Sequence, residues 1–277
     1  MLHQKNRCQT PISDWRDRCA DSVCWNNDCR GVSYALSKAG PLASRELPMS
    51  QLTLSRDVLM RQELEFAESL PTEGEVITRG IRLYDLGVKL GLFGRSAALY
   101  RHAAEAVLPL DGRRVLDIGC GTGLLTKEIA RRMRSGTVIG IDASAPMIDY
   151  ARRKHASAAA AYRLALAEQL PFPDASFDAV VSALFFHHVN LDLKARVARE
   201  IARVLKPGGK VAIADFVIPW TSFGRLYARF GWHFDCEDVK ENVYGAVAAA
   251  LTDAGLVDVH ETYRTLGTMA VIAGRKQ

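Results

Sequence analysis

The chain has 277 residues, 48% of them hydrophobic and 24% charged, with a mean hydropathy of −0.03. That supplies enough apolar material for one large or two small globular domains and excludes a fibrous or disordered protein. With 36 Lys plus Arg against 31 Asp plus Glu the net charge is +5, too small and too dispersed to mark a nucleic-acid or anionic-membrane partner. No stretch approaches the roughly 18 apolar residues of a membrane-spanning helix, and the polar N-terminal stretch lacks a signal-peptide core, so a cytoplasmic location is expected.

Residues 1–48 mix polar, small and turn-forming side chains without a sustained period. They cannot offset their ordering entropy by burial, and a mostly disordered extension is expected; Met49 could equally open the chain. Four of the six cysteines, Cys8, Cys19, Cys24 and Cys29, lie here, and Cys120 and Cys236 stand apart. Their spacing is loose for zinc, and a disulfide framework would require export, so no metal is expected.

The ordered part is expected over 49–277. Helical spacing of Val58, Leu59, Leu64, Phe66 and Leu70 predicts a helix over 55–69, blocked by Pro71, and apolar-rich segments follow at 81–93 and 95–108. The pattern then alternates: strand 115–118, helix 124–133, strand 137–141, helix 145–155, strands 162–166 and 179–182, helix 191–205, strand 210–215. Such a βαβα order implies a parallel sheet. A helix over 243–254 and two strands at 257–263 and 268–273, close enough to pair as a hairpin, complete the chain. The organisation expected is N-terminal helices over 55–108, a binding core over 113–215, a cap over 216–239, and a closing helix and hairpin over 240–277.

The first strand runs into Gly119-Cys120-Gly121-Thr122-Gly123. Glycines there permit a tight turn and let a ligand approach bare main chain at a helix N-terminus. A dinucleotide fingerprint needs G-x-G-x-x-G, and the third glycine comes one residue too early. The loop could serve simply as a strand-to-helix turn, but Asp142 ends the second strand nineteen residues after Gly123. A carboxylate at that tip can accept from both hydroxyls of a ribose, unless it merely caps the next helix, a role Ser144 could take instead.

These residues, with Leu170-Pro171-Phe172-Pro173-Asp174-Ala175-Ser176-Phe177-Asp178 and Leu205-Lys206-Pro207-Gly208-Gly209-Lys210, resemble the class I S-adenosylmethionine-dependent methyltransferases over about residues 83–275. The resemblance implies a Rossmann-like seven-stranded α/β sheet in the order 3-2-1-4-5-7-6, its last strand antiparallel. It implies S-adenosylmethionine as cofactor, with Gly119, Gly121, Gly123 and nearby backbone on the methionine portion, Asp117 on its amino group directly or through water, and Asp142 with Ala143 at the ribose. Leu166 stands where the family often carries an aspartate for the adenine amino group. Packing and main chain around Leu166 and Ala167 are therefore expected to hold the base, with Ser182 at the next strand tip.

Methyl transfer from a sulfonium needs alignment and exclusion of water more than a base. His187 and His188 follow the fourth strand; either can pack beneath the next helix, and His187, coming first, is the candidate base. Between 216 and 234 seven aromatic residues crowd together, Phe216, Trp220, Phe223, Tyr227, Phe230, Trp232 and Phe234, in a chain only 8% aromatic. They form either a cap over an apolar acceptor or the core of an inserted helix. Trp220, Phe223 and Tyr227, with Tyr84 from the N-terminal helices, are the candidate acceptor contacts. Tyr84-Asp85 ahead of the glycine loop resembles the ubiquinone/menaquinone C-methyltransferase group. The expectation is a methyltransferase of a small, apolar or aromatic metabolite. The alternative is a non-catalytic protein that keeps the cofactor pocket and uses the aromatic cap as a ligand or partner surface. Nucleic acid is not expected as acceptor, because no Asn/Asp-Pro-Pro-aromatic motif follows the fourth strand; the oligomeric state is left open.

Overall fold

Alternation of apolar residues along the strands decides the architecture. Val115 and Val181 join one buried cluster, whereas their chain neighbours Leu116 and Val180 join another. A strand that is apolar on both faces must be covered on both, which is the condition for helices on either side of a sheet. The computed structural model describes residues 68–234, 239–242 and 244–277. The expected extension, its four cysteines, Cys236 and nearly all of the helix expected over 55–69 lie outside these residues.

In chain order the elements are α1 (Ile81–Gly91), α2 (Ser96–Ala106), β1 (Arg113–Ile118), α3 (Leu124–Arg132), β2 (Gly136–Asp142), α4 (Ala145–His155), β3 (Ala160–Leu164), β4 (Phe177–Ala183), α5 (Leu191–Val204), β5 (Leu205–Phe216), α6 (Ser222–Phe234), α7 (Val239–Asn242), α8 (Ala246–Asp253), β6 (Leu256–Thr265) and β7 (Met269–Lys276). A single 3-10 turn, Phe186–His188, follows β4. The sheet order is β3-β2-β1-β4-β5-β7-β6, and β7 runs antiparallel to both β5 and β6. The topology implied by the family resemblance is thus present. Helices α2, α3 and α4 cover one face through Leu99, Leu125, Ile129 and Ile148, and α5 and α8 cover the other through Val197, Ile201, Val247 and Leu251.

Parallel strands bring their carboxyl ends to one edge, and chain reversals there use special backbone. Gly119, Gly121 and Gly123 all have positive φ, 65°, 52° and 89°. A Cβ on Gly119 would fall 2.4 Å from the Phe185 ring, and one on Gly123 would fall 2.6 Å from Tyr162. Leu184 is left-handed as well, at φ 57°, a strained conformation for a side chain with a Cβ. Ser144, not Asp142, caps α4: its Oγ accepts from Met147 N.

Just after residues 186–188 the chain is fastened to its closing part by a partly buried ion pair. Lys194, fully buried on α5, donates from Nζ to the Val189 carbonyl and to Glu241 Oε2 of α7 at 2.9 Å. Removing one partner of such a pair leaves the other charge poorly compensated. Lys194→Ala is expected to lower the unfolding free energy by about 3 kcal/mol in denaturant titrations; a change below about 0.5 kcal/mol, typical of surface substitutions, would show that the pair is not a fastening.

Candidate active site

A cleft lies along the carboxyl ends of β1 and β2. Gly119, Gly121, Asp117, Asp142 and Ala143 line it. Asp117 is fully buried on β1. Its Oδ2 accepts from Thr126 Oγ1 at 2.6 Å, and its Oδ1 has no hydrogen-bond partner. Burial raises the carboxyl to about 7, against the opposing pull of Thr126. A buried oxygen with an unused lone pair beside a cleft is costly unless a donor arrives, and a cationic ammonium is the strongest such donor.

Asp142 at the tip of β2 is held by main chain. Its Oδ2 accepts from Gly121 N at 2.9 Å and its Oδ1 from Ser144 N at 2.8 Å. Burial raises its pKa, and those N–H groups partly counter the shift. Each oxygen keeps one further lone pair, enough for two hydroxyl donors. At Gly121 a Cβ would meet nothing within 4 Å, so the glycine there serves the backbone turn and leaves the cleft open.

Several expected residues lie elsewhere. Ser182 is buried within the sheet, its hydroxyl donating to Ile118 O at 2.8 Å, and it does not line the cleft. Gly123 is absent from the lining too; its missing Cβ makes room for Tyr162. Leu166 turns out of the cleft while Ala165, Ala167 and Glu168 line it. Glu168 thus supplies a carboxylate to this wall two residues after the leucine, accepting from Thr72 Oγ1 at 2.7 Å.

Tyr84 does line the cleft. Burial first, and Asp142 second, push its phenol up to about 12, so it stays a donor at neutral pH. The aromatic cap expected from the sequence is different. Trp220, Phe223 and Tyr227 are not in the cleft wall. The Arg264 guanidinium sits over Trp220 at 4.9 Å, Phe223 is 52% exposed, and Tyr227 donates to Gly91 O at 2.8 Å. Phe223 is the most exposed of the three, and Tyr227 is half-buried, packed against the core cluster that holds Phe216. The Phe230, Trp232 and Phe234 side chains lie outside the description.

The histidines are separated by the 3-10 turn. His188, not His187, lines the cleft, and its Nδ1 lies 2.9 Å from Glu75 Oε2. His187 stands behind it, ring centroids 4.0 Å apart, edge-on to Phe216 at 5.2 Å. Its Nδ1 is 2.9 Å from Oδ1 of the fully buried Asp215. Asp215 also accepts from Phe186 N at 2.8 Å, Phe216 N at 2.7 Å and Asn242 Nδ2 at 3.2 Å. Burial alone would raise its pKa, but the His187 ring and these donors hold it below the usual carboxylate range. Among the described residues Nε2 of His187 has no hydrogen-bond partner, so Asp215 selects the tautomer that leaves a lone pair there.

Sequence reasoning missed Thr72, Glu75, Tyr100, Phe185 and Glu168 in the lining. The 68–80 segment carries no periodicity; it reaches the cleft through pairings such as Leu70 N to Ala143 O and Glu75 N to His188 O. Phe185 could have been suspected only from Gly119, which must lack a side chain for that ring to fit. Among the described residues no three His, Cys, Asp or Glu side chains gather to hold a metal.

Comparison with known proteins accords with this geometry. The methyltransferase-domain family matches residues 116–213. The chain is 36% identical over 153 residues to the ubiquinone/menaquinone biosynthesis C-methyltransferase of Geobacter sulfurreducens, covering 53% of this chain and 59% of that protein. It is 37% identical over 121 residues to a fatty-acid O-methyltransferase of Mycolicibacterium smegmatis, covering 43% of each. The chain thus spans about half the length of these curated relatives. Among solved structures, the [4+2]-cyclase SpnF superposes with a TM-score of 0.53 at 20% identity, covering 74% of this chain and 99% of that one, a likeness of fold alone. Residues 116–213 thus carry a methyltransferase domain, and the glycine loop and sheet order around it are those of the class I S-adenosylmethionine-dependent methyltransferases it resembles, whose cofactor is S-adenosylmethionine.

Proposed function

We propose that the chain methylates a small, apolar or aromatic acceptor. The single observation that carries this reading is the unpartnered Asp117 Oδ1 in a cleft that also presents Asp142, because the two carboxylates suit opposite ends of the cofactor: an ammonium and a ribose diol. When bound, the cofactor supplies an electrophilic methyl group on a cationic sulfur. Asp117 would accept from the ammonium, Asp142 would accept from the sugar hydroxyls, and the glycine loop would let main chain approach closely. Ala165 and Ala167 give the base an apolar wall, with Glu168 held at its rim by Thr72. His187 is the candidate base on the acceptor side. Asp215 would keep the proton on Nδ1 and leave Nε2 to take the proton of an acceptor hydroxyl or acidic carbon, whose new bond to the methyl group is matched by loss of the methyl–sulfur bond and departure of a neutral thioether.

The test is incubation with methyl-labelled cofactor and a panel of quinols, phenols and long-chain acids. Label on at least one acceptor is expected; tight cofactor binding with no label on any would favour the non-catalytic alternative. Asp142→Ala is expected to weaken calorimetric cofactor affinity by about 1–3 kcal/mol, and unchanged affinity in the folded variant would refute the ribose role. His187→Ala is expected to lower kcat by about 10²–10⁴-fold with little change in cofactor affinity, and Asp215→Asn to shift the pH–rate profile. A larger loss in His188→Ala than in His187→Ala would move the base to the cleft wall.

Asp117 also predicts a pH dependence. Its carboxyl is raised from the ordinary 3.8 to about 7 by burial, so between those values the ligand-free folded chain holds a proton that the unfolded chain has lost. Stability from this group is therefore greatest at low pH and falls as pH rises through that window. An ammonium requires the ionised form, so binding expels the proton, and affinity should weaken by up to about tenfold for each pH unit below 7. Calorimetry in buffers of differing ionisation enthalpy should record proton release at pH 6 that Asp117→Asn abolishes; a flat affinity profile would contradict direct pairing.

A further inference from the structure

The geometry points to a docking surface for an anionic lipid bilayer, built from α1 and α6. Helix α1 buries no residue. Leu83, Leu86 and Leu90 recur at three- and four-residue spacing on one face, with Phe93 just beyond, and these four are 69%, 51%, 67% and 63% exposed. A helix in water normally turns such a stripe inward. On α6, Phe223 and Leu226 are 52% and 66% exposed. The two helices adjoin: Phe93 lies 6.1 Å from Phe223 and 5.9 Å from Tyr227 by ring centroids, and Tyr227 donates to the Gly91 carbonyl. The six apolar side chains therefore belong to one surface, and contiguous apolar surface of this kind marks an interaction site.

Charge identifies the occupant. Arg79, Arg82, Lys89, Arg95, Arg225 and Arg229 are exposed on and beside the same two helices. Over residues 79–95 and 222–234 the only carboxylate is Asp85, and it is turned inward, accepting from Thr122 Oγ1 at 2.6 Å. Leucine and phenylalanine flanked by lysine and arginine, with Asp149 of α4 the acid that shares a pocket with Arg82, suit the boundary between acyl chains and anionic headgroups. No helix of the described residues is long and apolar enough to cross a membrane, so the contact is superficial. From this surface rings lead inward, Tyr227 to Phe216 at 6.1 Å and Phe216 to His187 at 5.2 Å. If the methyl-transfer reading holds, a lipophilic acceptor leaving the bilayer meets an aromatic wall that ends at the candidate base. Docking itself requires neither donor nor transfer.

The experiment is sedimentation of the full chain with vesicles of phosphatidylcholine alone and of phosphatidylcholine with phosphatidylglycerol, without cofactor. Binding to the anionic vesicles is expected, at least tenfold stronger than to the neutral ones and weakened by salt. The double variant Leu86→Asp with Leu90→Asp should lose it tenfold or more, and Arg82→Glu with Lys89→Glu should lose the preference for anionic lipid, both keeping the wild-type circular dichroism spectrum and cofactor affinity. Absence of wild-type binding, or full binding by the Asp variant, overturns the proposal. So does light scattering that shows a dimer abolished by the same substitutions when vesicles are not bound, since a second copy is then the occupant. Failure of methyl transfer with vesicle binding intact would count against the enzymatic reading alone.

Discussion

Three carboxylates at one edge of the sheet, Asp117 and Asp215 fully buried and Asp142 partly so, are the constraint around which this molecule is arranged. Asp117, Asp142 and Asp215 end or nearly end β1, β2 and β5, where strand direction delivers them together and burial disfavours their charge. Each is answered differently. Asp215 receives a histidine and three N–H donors and stays ionised easily. Asp142 receives main-chain N–H groups that offset burial only in part. Asp117 receives one hydroxyl and keeps an oxygen unused. The gradation maps onto chemistry: the satisfied acid orients a neighbour, and the least satisfied one is poised for a cationic ligand.

The rest of the edge serves that arrangement. The glycine loop brings Gly121 N to Asp142 and leaves no side chain between the cleft and the main chain. Leu184 adopts its left-handed conformation at the point where β4 gives way to Phe185, the ring seated over Gly119. That strain is tolerated because Phe186 N is tied to Asp215 and Val189 O to Lys194 on either side of the turn. Asn242 and Glu241, consecutive on α7, complete the same fastening from the far end of the chain. The two histidines are thus held from several directions and cannot exchange places without breaking buried polar contacts.

A fold shared with a [4+2]-cyclase is a reminder that this sheet fixes where a ligand sits and not what is done to it. What distinguishes one chain from another is the material laid over the strand tips: here the 68–80 segment, the paired histidines and the α1–α6 surface. The last joins an apolar face to cations that the whole-chain charge conceals, because +5 spread over 277 residues says nothing of where six of those cations gather.

The sequence by itself determined the alternation of strands and helices, the glycine turn and the acid nineteen residues beyond it, since these are local: period, turn chemistry and spacing act within one βα unit and survive without knowledge of the rest. Helix α4 was legible to its ends for the same reason, with Ser144 as its cap. Only the tertiary structure decided that His188 lines the cleft while His187 turns to Asp215, since one 3-10 turn aims neighbouring rings in different directions and the partners lie 28 residues away and, for Glu75, 113 residues away. It likewise decided that Ser182 is spent on the sheet, that Leu166 yields its wall to Glu168, and that Trp220, Phe223 and Tyr227 stand outside the cleft wall. Side-chain direction at a strand end and the placement of a helix depend on long-range packing, which no local period encodes.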